Sequence, residues 1–289
     1  MRTLARRPPV RAPAVVPRAH GFAFTGAVVR GIPASMEAAL AREAPGSPVD
    51  MALAREQKAG YEAALAAALG PGGRLTRVPA ADAHPDCVFV EDTAVVVGST
   101  AVVTVPGHPS RRGETGPVAD ALQGLGLRVA RLAGAARMDG GDVCAVGGHV
   151  LVGLSERTNA EGARQLAEAL RGEGVRVAVV PVPSRSLHLK SVLSPLDEST
   201  LVVWGEVEEE VRARLGAAGV ALELVPVPDM LSSNVVRVNG DVLAQPGGEA
   251  SAGALARAAG RRGLAVRAVP MGELAKVDGA LTCCSLLVP

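Results

Sequence analysis

The sequence predicts a mixed α/β fold made of repeated strand–turn–strand–helix units. Short β-branched runs, bounded by turns rich in Gly, Asn and Ser, alternate with Ala-rich helical stretches along most of the 289 residues. Apolar residues make up 48% of the chain, which is typical of a globular protein. The aromatic residues are only three Phe, one Trp and one Tyr, so the core must be built from Ala, Val and Leu.

Polar landmarks recur along the chain at a regular spacing. Successive landmarks are separated by 53, 49, 45 and 45 residues. A period of this size is typical of radial repetition, in which each unit brings the same end of its first strand to a central axis. An α/β sandwich without symmetry fits the same strands and helices, so the pattern alone leaves both architectures open. The landmarks are Asp86, Asp139, His188, Ser233 and Asp278.

The amino-terminal residues 1–21 are basic and Pro-rich, and we expect them to form a disordered tail ahead of a single domain over residues 22–289. Prolines interrupt each apolar stretch that could form a secretory signal, and no run reaches the ~18–20 apolar residues of a membrane span. We therefore expect a cytoplasmic protein. The domain begins with a predicted strand at Val28–Val29, a helix near Pro33 and a long Ala-rich helix over 49–69.

The next two units each combine a predicted hairpin with a helix. Runs of β-branched residues on either side of Gly-containing turns indicate the hairpins. In the second of these units, Thr158 and Glu161 form a capping-box pattern that marks the start of the helix. The strands are predicted at 88–90, 93–97, 101–105, 143–146 and 150–153, and the helices at 113–123 and 159–171.

The remaining units follow the same order. Asn239–Gly240, between two Val-rich runs, is a strong hairpin signal. The strands are predicted at 190–193, 201–204, 235–238, 242–245 and 281–288, and the helices from 206 and at 251–261.

The charge balance argues against two classes of partner. The 30 basic and 29 acidic residues leave a formal net charge of +1, which gives no broad electrostatic surface for nucleic acid or for an anionic membrane. The few aromatic side chains also provide no platform for base stacking. We therefore expect neither nucleic acid nor a membrane as a partner.

The four cysteines are Cys87, Cys144, Cys283 and Cys284. They show no CxxC spacing and are too few for a disulfide framework in a chain of this length, so we expect four reduced thiols. Alternation along a predicted strand sends Cys283 and Cys284 to opposite faces. One of the two can then face the axis while the other is buried as a small apolar residue.

Carboxylates mark the ends of two predicted strands. Asp86, Glu91 and Asp92 flank an apolar run, which is costly unless they face water or a cation; a solvated strand end explains them equally well. The pair Gly140–Gly141 follows Asp139 and allows the backbone to approach another group closely, although an ordinary turn is the commoner outcome.

His188 lies between two leucines, a position that more often holds a core histidine than a catalytic one. Together with a cysteine and carboxylates from other units, however, it permits thiol chemistry, because a thiolate is a nucleophile and imidazole exchanges protons near neutral pH. More carboxylates are present than one imidazole needs, which indicates a cationic substrate. The sequence contains no HExxH motif and no cysteine-pair spacing, so we predict no metal site.

Six motifs follow one another along the chain. They are DCVFVED (Asp86–Asp92), PGHPSRR (Pro106–Arg112), DGGDV (Asp139–Val143), GLSERTN (Gly153–Asn159), LHLKS (Leu187–Ser191) and KVDGALTCCS (Lys276–Ser285). Together they resemble the dimethylarginine dimethylaminohydrolase family of the guanidine-modifying pentein superfamily, over the chain from about Val28 to Leu287. The resemblance implies a pentein α/β-propeller, with five ββαβ-type repeats around a central active site.

The resemblance also implies a role for individual residues. Cys283 is the nucleophile, with Cys284 as its structural neighbour, and His188 is the general acid and base. Asp92 and Asp139 hold the substrate guanidinium, although some members carry the longer Glu at the second position. The other implied substrate-binding positions are Asp86 and Glu91 near the guanidinium, Arg111 and Arg157 at the amino-acid carboxylate, and the Val277 backbone at the amino-acid end.

The implied reaction is hydrolysis of mono- or dimethylarginine to citrulline and methylamine or dimethylamine, through a covalent Cys thiouronium intermediate. A small-molecule substrate is the partner implied, with no metal or organic cofactor, and the sequence leaves a homodimer open. Arginine deiminase, which releases ammonia by the same chemistry, is the alternative within the superfamily. A non-catalytic guanidinium-binding pentein is the alternative from another class. A lid segment at about 34–42 aligns poorly, and no residue is assigned there.

Overall fold

The computed structural model describes residues 21–183 and 185–289. Apart from Gly21, the predicted tail over 1–21 lies outside the described residues. The described chain folds into five three-stranded sheets with helices between their strands, which confirms the mixed α/β fold. No helix within those two ranges has the length and apolar character needed to cross a bilayer.

The secondary structure of the described residues alternates strands and helices. The strands are β1 (Gly26–Arg30), β2 (Arg74–Val78), β3 (Ala94–Val97), β4 (Thr100–Val103), β5 (Arg128–Arg131), β6 (Val143–Val146), β7 (His149–Leu154), β8 (Arg176–Pro181), β9 (Leu193–Pro195), β10 (Thr200–Trp204), β11 (Glu223–Val227), β12 (Val235–Val238), β13 (Asp241–Ala244), β14 (Ala265–Ala268) and β15 (Leu286–Val288). The helices are α1 (Met51–Leu69), α2 (Thr115–Gly124), α3 (Ala160–Ala169), α4 (Glu208–Ala217), α5 (Glu249–Gly260) and α6 (Gly272–Ala275).

All five sheets share one strand order. In each, a middle strand pairs antiparallel with an inner strand and parallel with an outer strand, and a helix makes the crossover that a parallel pair requires. From unit one to unit five the orders are β3–β4–β5, β6–β7–β8, β9–β10–β11, β12–β13–β14 and β15–β1–β2. In unit five the inner strand therefore comes from the far end of the chain, and Gly26 of β1 faces Val288 of β15.

The predicted inner hairpins are largely confirmed. β6 and β12 have the predicted bounds, and the turn at Asn239–Gly240 joins β12 to β13, with Asn239 in the left-handed region at φ 50°. The outer strands were not predicted: β5 and β14 are short and partly or fully exposed, whereas β8 and β11 carry apolar residues that were not assigned to a strand. Every residue of β14 is exposed, and β5 begins and ends with exposed arginines.

The strand predicted at 88–90 does not form, and the strands predicted at 93–97, 190–193 and 281–288 each lose their first residues to a tight 3-10 turn. Strands predicted to include these residues begin only after the turns, at β3, β9 and β15. Hydrogen bonds between residues three apart hold the curled backbone, as when the Thr93 hydroxyl donates to the Val90 carbonyl over 2.6 Å. The turns are Val90–Thr93, Leu189–Ser191 and Thr282–Cys284.

Two helix starts also differ from the prediction. The helix expected near Pro33 is a single 3-10 turn at Met36–Ala38. Helix α3 is capped by Asn159, whose side chain accepts the Gly162 N–H over 2.8 Å, rather than by Thr158. The Thr158 hydroxyl instead accepts the Asp139 N–H over 3.1 Å, and so belongs to the neighbouring turn.

Each inner strand is preceded by a 3-10 turn, and these turns meet. Turn 90–93 packs against turns 140–142 and 282–284, and turn 140–142 packs in turn against 189–191. Residues that are 50 to 190 positions apart in sequence therefore come together at one end of the inner strands.

Apolar clusters between the sheets and helices hold this arrangement in place. As the composition predicts, their buried members are mostly Val, Leu and Ala. Full burial of one Val or Leu side chain contributes about 1.5–3 kcal/mol to stability. The polar turns thus stand on strands such as β3 and β10 that are buried along most or all of their length.

Candidate active site

One cleft gathers most of the predicted site residues. It is also lined by Leu40, Phe89, Leu187 and Asp278. The structure therefore brings together groups from units one, two, three and five. The predicted residues on its wall are Asp86, Asp92, Arg111, Arg157, Val277, His188 and Cys283. Asp139 lies directly behind the wall, and Glu91 faces a neighbouring cleft that shares His188 and Cys283.

Asp139 orients the imidazole. It is fully buried, and its Oδ2 accepts a hydrogen bond from Nε2 of His188 over 3.0 Å. Its Oδ1 accepts the Gly107 N–H over 2.8 Å, while Nη1 of Arg157 lies 3.9 Å from Oδ2. Although an Asp side chain is shorter than the Glu that some family members carry here, Asp139 therefore contacts the histidine directly.

Asp92 is an ionised carboxylate between a cation and a backbone donor. Its Oδ2 accepts Nη1 of Arg111 over 2.5 Å, and its Oδ1 accepts the Gly141 N–H over 2.9 Å. Burial raises the pKa of Asp92, but the charges of Arg111 and His188 and the Gly141 hydrogen bond outweigh it and lower the pKa to about 2.

The paired glycines are explained by close approach. A Cβ on Gly140 would lie 2.0 Å from the Glu91 carbonyl oxygen. A Cβ on Gly141 would lie 2.8 Å from Nδ1 of His188 and 3.0 Å from Oδ1 of Asp92. The DGGDV motif therefore leaves room for the imidazole and for the backbone of turn 90–93.

His188 is held as an imidazolium. Burial lowers its pKa, but the charge of Asp92, the hydrogen bond to Asp139 and the charge of Asp142 together raise the pKa to about 9. At neutral pH the side chain therefore carries a proton that it can donate.

The two adjacent thiols lie in different environments. Cys283 is partly exposed on the cleft, whereas Cys284 is fully buried in the apolar core, as predicted, although a turn rather than strand alternation separates them. Burial, followed by the charges of Glu91 and Asp92, raises the pKa of Cys283 well above its usual range. Burial raises the pKa of Cys284 to about 12. The described thiols, Cys87 and Cys144 included, are all unbridged.

Arg111 is engaged by the protein itself. It is buried, and besides Asp92 it binds both carboxylate oxygens of Glu114, through Nε over 3.1 Å and Nη2 over 2.9 Å. Nη2 also donates to the Phe89 carbonyl over 2.9 Å. Arg157 is the more accessible guanidinium, with 19% of its side chain exposed. Both arginines line the cleft, and their role at a substrate carboxylate stays a prediction.

The segment over 34–42 lies across the cleft, held by carboxylates. Oδ1 of Asp86 accepts the Leu40 N–H over 3.0 Å, and Oδ2 of Asp278 accepts the Arg42 N–H over 2.6 Å. Two of the regularly spaced landmarks thus fasten this segment, so that Leu40 forms part of the cleft wall.

Sequence reasoning assigned no role to several residues that shape the site. Asp142 accepts the Leu189 N–H over 3.0 Å and the Ser155 hydroxyl over 2.6 Å, which fixes the turn after His188. Asp142 could have been identified from the DGGDV motif, which contains it, and Lys190 from the LHLKS motif. Glu114 had no such signal, because it lies just beyond the PGHPSRR motif that contains its partner Arg111. Asn234 had none, because its partners Lys190 and Thr282 belong to other segments.

One group among the described residues has the composition of a metal site. Ligand-type atoms of Asp92, Asp139 and His188 lie within 4.8 Å of one another. Each is committed to a protein partner, Asp92 to Arg111 and Asp139 to His188. The chemistry of this group is that of an internal ion-pair network beside a thiol.

Comparison with known proteins gives a consistent result. The sequence profile described as arginine deiminase matches residues 124–219. The N(G),N(G)-dimethylarginine dimethylaminohydrolase of Streptomyces coelicolor is 37% identical over 238 residues, which are 82% of this chain and 87% of that protein. The protein of the same name from Pseudomonas aeruginosa is 32% identical over 213 residues, 73% of this chain and 80% of that protein.

A solved structure shows the same fold. It is the DDAH from Pseudomonas aeruginosa, a cysteine-to-serine variant complexed with citrulline. The two superpose with a TM-score of 0.79 at 30% sequence identity, covering 92% of this chain and 99% of the other.

Proposed function

The chain belongs to the dimethylarginine dimethylaminohydrolase family, and from that premise we propose that it hydrolyses Nω-methylated arginine to citrulline and methylamine or dimethylamine. Relatives of that name cover most of the chain, and a solved relative holds citrulline. The observation that carries the proposal is the shared cleft of Cys283, a partly exposed thiol, and His188, a carboxylate-held imidazolium.

We propose that the substrate guanidinium binds beside Asp92 and Asp139. The ionised carboxylate of Asp92 provides a charge that attracts this cation. Arg157 and Arg111 then receive the amino-acid carboxylate, and the backbone of Val277 receives the amino-acid end. Asp86 supports this side of the cleft through Leu40.

The first half of the reaction forms a bond to sulfur. In the free protein Cys283 is a thiol, because burial and nearby carboxylates raise its pKa. A bound guanidinium cation favours the thiolate, whose proton leaves to solvent. The sulfur attacks the guanidinium carbon. His188 donates its proton to the departing nitrogen, the C–N bond breaks, and methylamine or dimethylamine leaves a thiouronium on Cys283.

The second half returns the enzyme to its starting state. His188, now neutral, accepts a proton from water while the water oxygen attacks the thiouronium carbon. The C–S bond of the adduct then breaks and releases the thiolate. The protonated urea group gives its proton to the Cys283 thiolate, which restores the thiol, and citrulline is released.

A substrate panel tests the proposal. Purified protein is given asymmetric dimethylarginine, monomethylarginine and arginine, and citrulline, methylamines and ammonia are quantified. We expect citrulline and an equimolar methylated amine, with arginine the poorer substrate. The match of residues 124–219 to the arginine deiminase profile makes that activity the second candidate. Faster release of ammonia from arginine would establish it, and no turnover of any of the three would leave guanidinium binding alone.

We also propose that the five sheets close into the propeller of the penteins, as a single domain over 22–289. We further propose that the protein is cytoplasmic and forms a homodimer. The common strand order and the meeting of four of the inner turns support the ring. Small-angle scattering of the purified chain measures ring shape and assembly together, and fractionation of cells measures location. A monomeric mass in solution would overturn the homodimer.

A further inference from the structure

A buried ion pair lies beside the proposed nucleophile. Nζ of Lys190 donates to Oε1 of Glu91 over 2.5 Å, and the other oxygen of Glu91 accepts the Thr282 hydroxyl over 2.9 Å. Only 14% of the Lys190 side chain and 8% of the Glu91 side chain are exposed. Both groups stand on the wall of a cleft that they share with His188 and Cys283.

Asn234 completes this arrangement into a closed frame. Its Oδ1 accepts the Thr282 N–H over 3.0 Å, and its Nδ2 donates to the Lys190 carbonyl over 2.8 Å and to the Thr282 hydroxyl over 3.1 Å. The frame therefore draws on units one, three, four and five. It fixes the residue before Cys283, while the buried side chain of Cys284 fixes the residue after it.

The two carboxylates whose charges act on the thiol are each paired with a cation. Arg111 binds Asp92, and Lys190 binds Glu91. Burial and then the charges of these two carboxylates oppose formation of a thiolate at Cys283. Several other titratable and charged groups surround the thiol. The acidic groups and thiols are Asp86, Glu91, Asp92, Asp278 and Cys284, and the basic groups are Arg42, Arg111, Arg157, Arg185, His188 and Lys190.

We propose that Lys190 is a positioning residue for Cys283: its ammonium neutralises the Glu91 carboxylate beside the thiol and completes the frame that holds Thr282. The inference rests on the proposed role of Cys283 as the nucleophile. An unpaired Glu91 would leave a buried negative charge next to the sulfur, and repulsion between like charges disfavours a thiolate there.

The experiment measures alkylation of Cys283 by iodoacetamide in the free protein from pH 6 to pH 10, with the modified residue identified by mass spectrometry. In Lys190→Met we expect alkylation at pH 7.5 to slow about tenfold, which corresponds to a rise of about one pKa unit. Lys190→Arg should retain the wild-type profile. The double variant Lys190→Met with Glu91→Gln should recover to within about threefold of wild type, because the charge that opposes the thiolate is gone.

Glu91→Gln alone provides a second measurement if Lys190→Met fails to fold. It leaves the ammonium without its carboxylate, so Cys283 should be alkylated faster than in wild type. The matched control is Lys58→Met, which removes a buried lysine that pairs with Glu62 at 2.7 Å and is not on the wall of either cleft that holds Cys283. Its alkylation profile at Cys283 should not move.

Three results would overturn the inference: equal alkylation of Lys190→Met and wild type, failure of Glu91→Gln to restore the double variant, or no acceleration in Glu91→Gln alone. A merely structural role for Lys190 predicts the second and third. Because alkylation needs no substrate, its outcome is independent of the substrate panel. Coupled alkylation without hydrolysis of methylated arginine would refute the proposed reaction and still support the link between Lys190 and Cys283.

Discussion

Units three and four are built alike but differ in what their inner turns do. Each has an antiparallel inner pair, a parallel outer strand and a helix, with a 3-10 turn ahead of the inner strand. Ahead of the unit-three turn, His188 is bound by a carboxylate of unit two. In the unit-four turn, the Ser233 hydroxyl donates to the Met230 carbonyl over 2.6 Å, three residues back in the same turn.

The difference shows that turn geometry and chemistry are separable. A side chain whose partner lies in its own turn only stabilises that turn. A side chain whose partner is an ionisable group from another unit has its protonation set by the packing of the units, as His188 has. Unit four contributes Asn234, the residue that follows its turn. The side chain of Asn234 is uncharged and accepts a hydrogen bond from the Thr282 N–H.

Unit five gives the strongest test of this comparison. Its turn holds a partly exposed thiol, Cys283, directly beside a thiol buried in the core, Cys284. We expect Cys283→Ala to lose at least about 10³-fold in turnover, since the nucleophile is removed. Cys284→Ala should keep activity within a few-fold and lose about 1 kcal/mol of unfolding free energy, because that side chain only fills core. Steady-state kinetics with urea unfolding measure both, and equal losses of activity would leave the nucleophile undecided between the two thiols.

The unit-three histidine should come next in size. His188→Gln removes the proton donor for the leaving amine, so kcat should fall about 10²–10⁴-fold, the usual contribution of general acid–base catalysis. Single-turnover measurements with dimethylarginine separate this chemical step from binding. A variant with unchanged kcat would remove the distinction drawn between units three and four.

The glycine that makes room for the histidine should have an intermediate effect. In Gly141→Ala the new methyl group meets both His188 and Asp92, and a displacement of about 1 Å costs on the order of 10²-fold in rate. Gly116→Ala is the matched control, since a Cβ there meets nothing within 4 Å. Wild-type kcat in Gly141→Ala would show that the imidazole tolerates displacement.

The pH dependence of stability tests the electrostatic side of the comparison. Because the pKa of His188 is raised to about 9, its contribution is fully present below its unfolded value near 6.5 and is lost as the pH rises through 9. The contribution is on the order of 3 kcal/mol. The unfolding free energy should therefore decrease more between pH 6 and pH 9.5 in wild type than in His188→Gln. An equal decrease in the two proteins would contradict the raised pKa of His188.

The smallest effect is expected in unit four. Ser233→Ala removes one local hydrogen bond, which costs about 1 kcal/mol of unfolding free energy, and turnover should stay within twofold of wild type. Thermal melts and the standard activity assay measure both. A tenfold loss of activity would place Ser233 with the catalytic turns and break the comparison.

The sequence allowed the inner hairpins to be predicted, for identifiable reasons, and most of the residues proposed from it for the site line one cleft. β6 and β12 are apolar runs bounded by turn residues, so local pattern is enough. The VFVED stretch has the composition of a strand, yet Val90–Thr93 is a turn, because packing against other turns decides its backbone. Exposed outer strands such as β14 carry no periodic signal at all.

Pairings within the site were beyond sequence reasoning. Asp92 and Arg111 were each predicted to meet the substrate, whereas in the structure they meet each other. Lys190 and Glu91 are 99 residues apart, and no local pattern connects two side chains at that separation. Residue identity therefore indicated the chemistry, while the partners of each charge came only with the three-dimensional arrangement.

The pairing of β1 with β15 sets an order of events during synthesis. On the ribosome, β1 emerges early and waits while the intervening units are made at ~5–20 residues per second. During those tens of seconds Gly26–Arg30 lacks its antiparallel neighbour, because Leu286–Val288 does not yet exist. Cys283 is translated just before that last strand, so the nascent chain acquires the proposed nucleophile and the partner strand for β1 almost together.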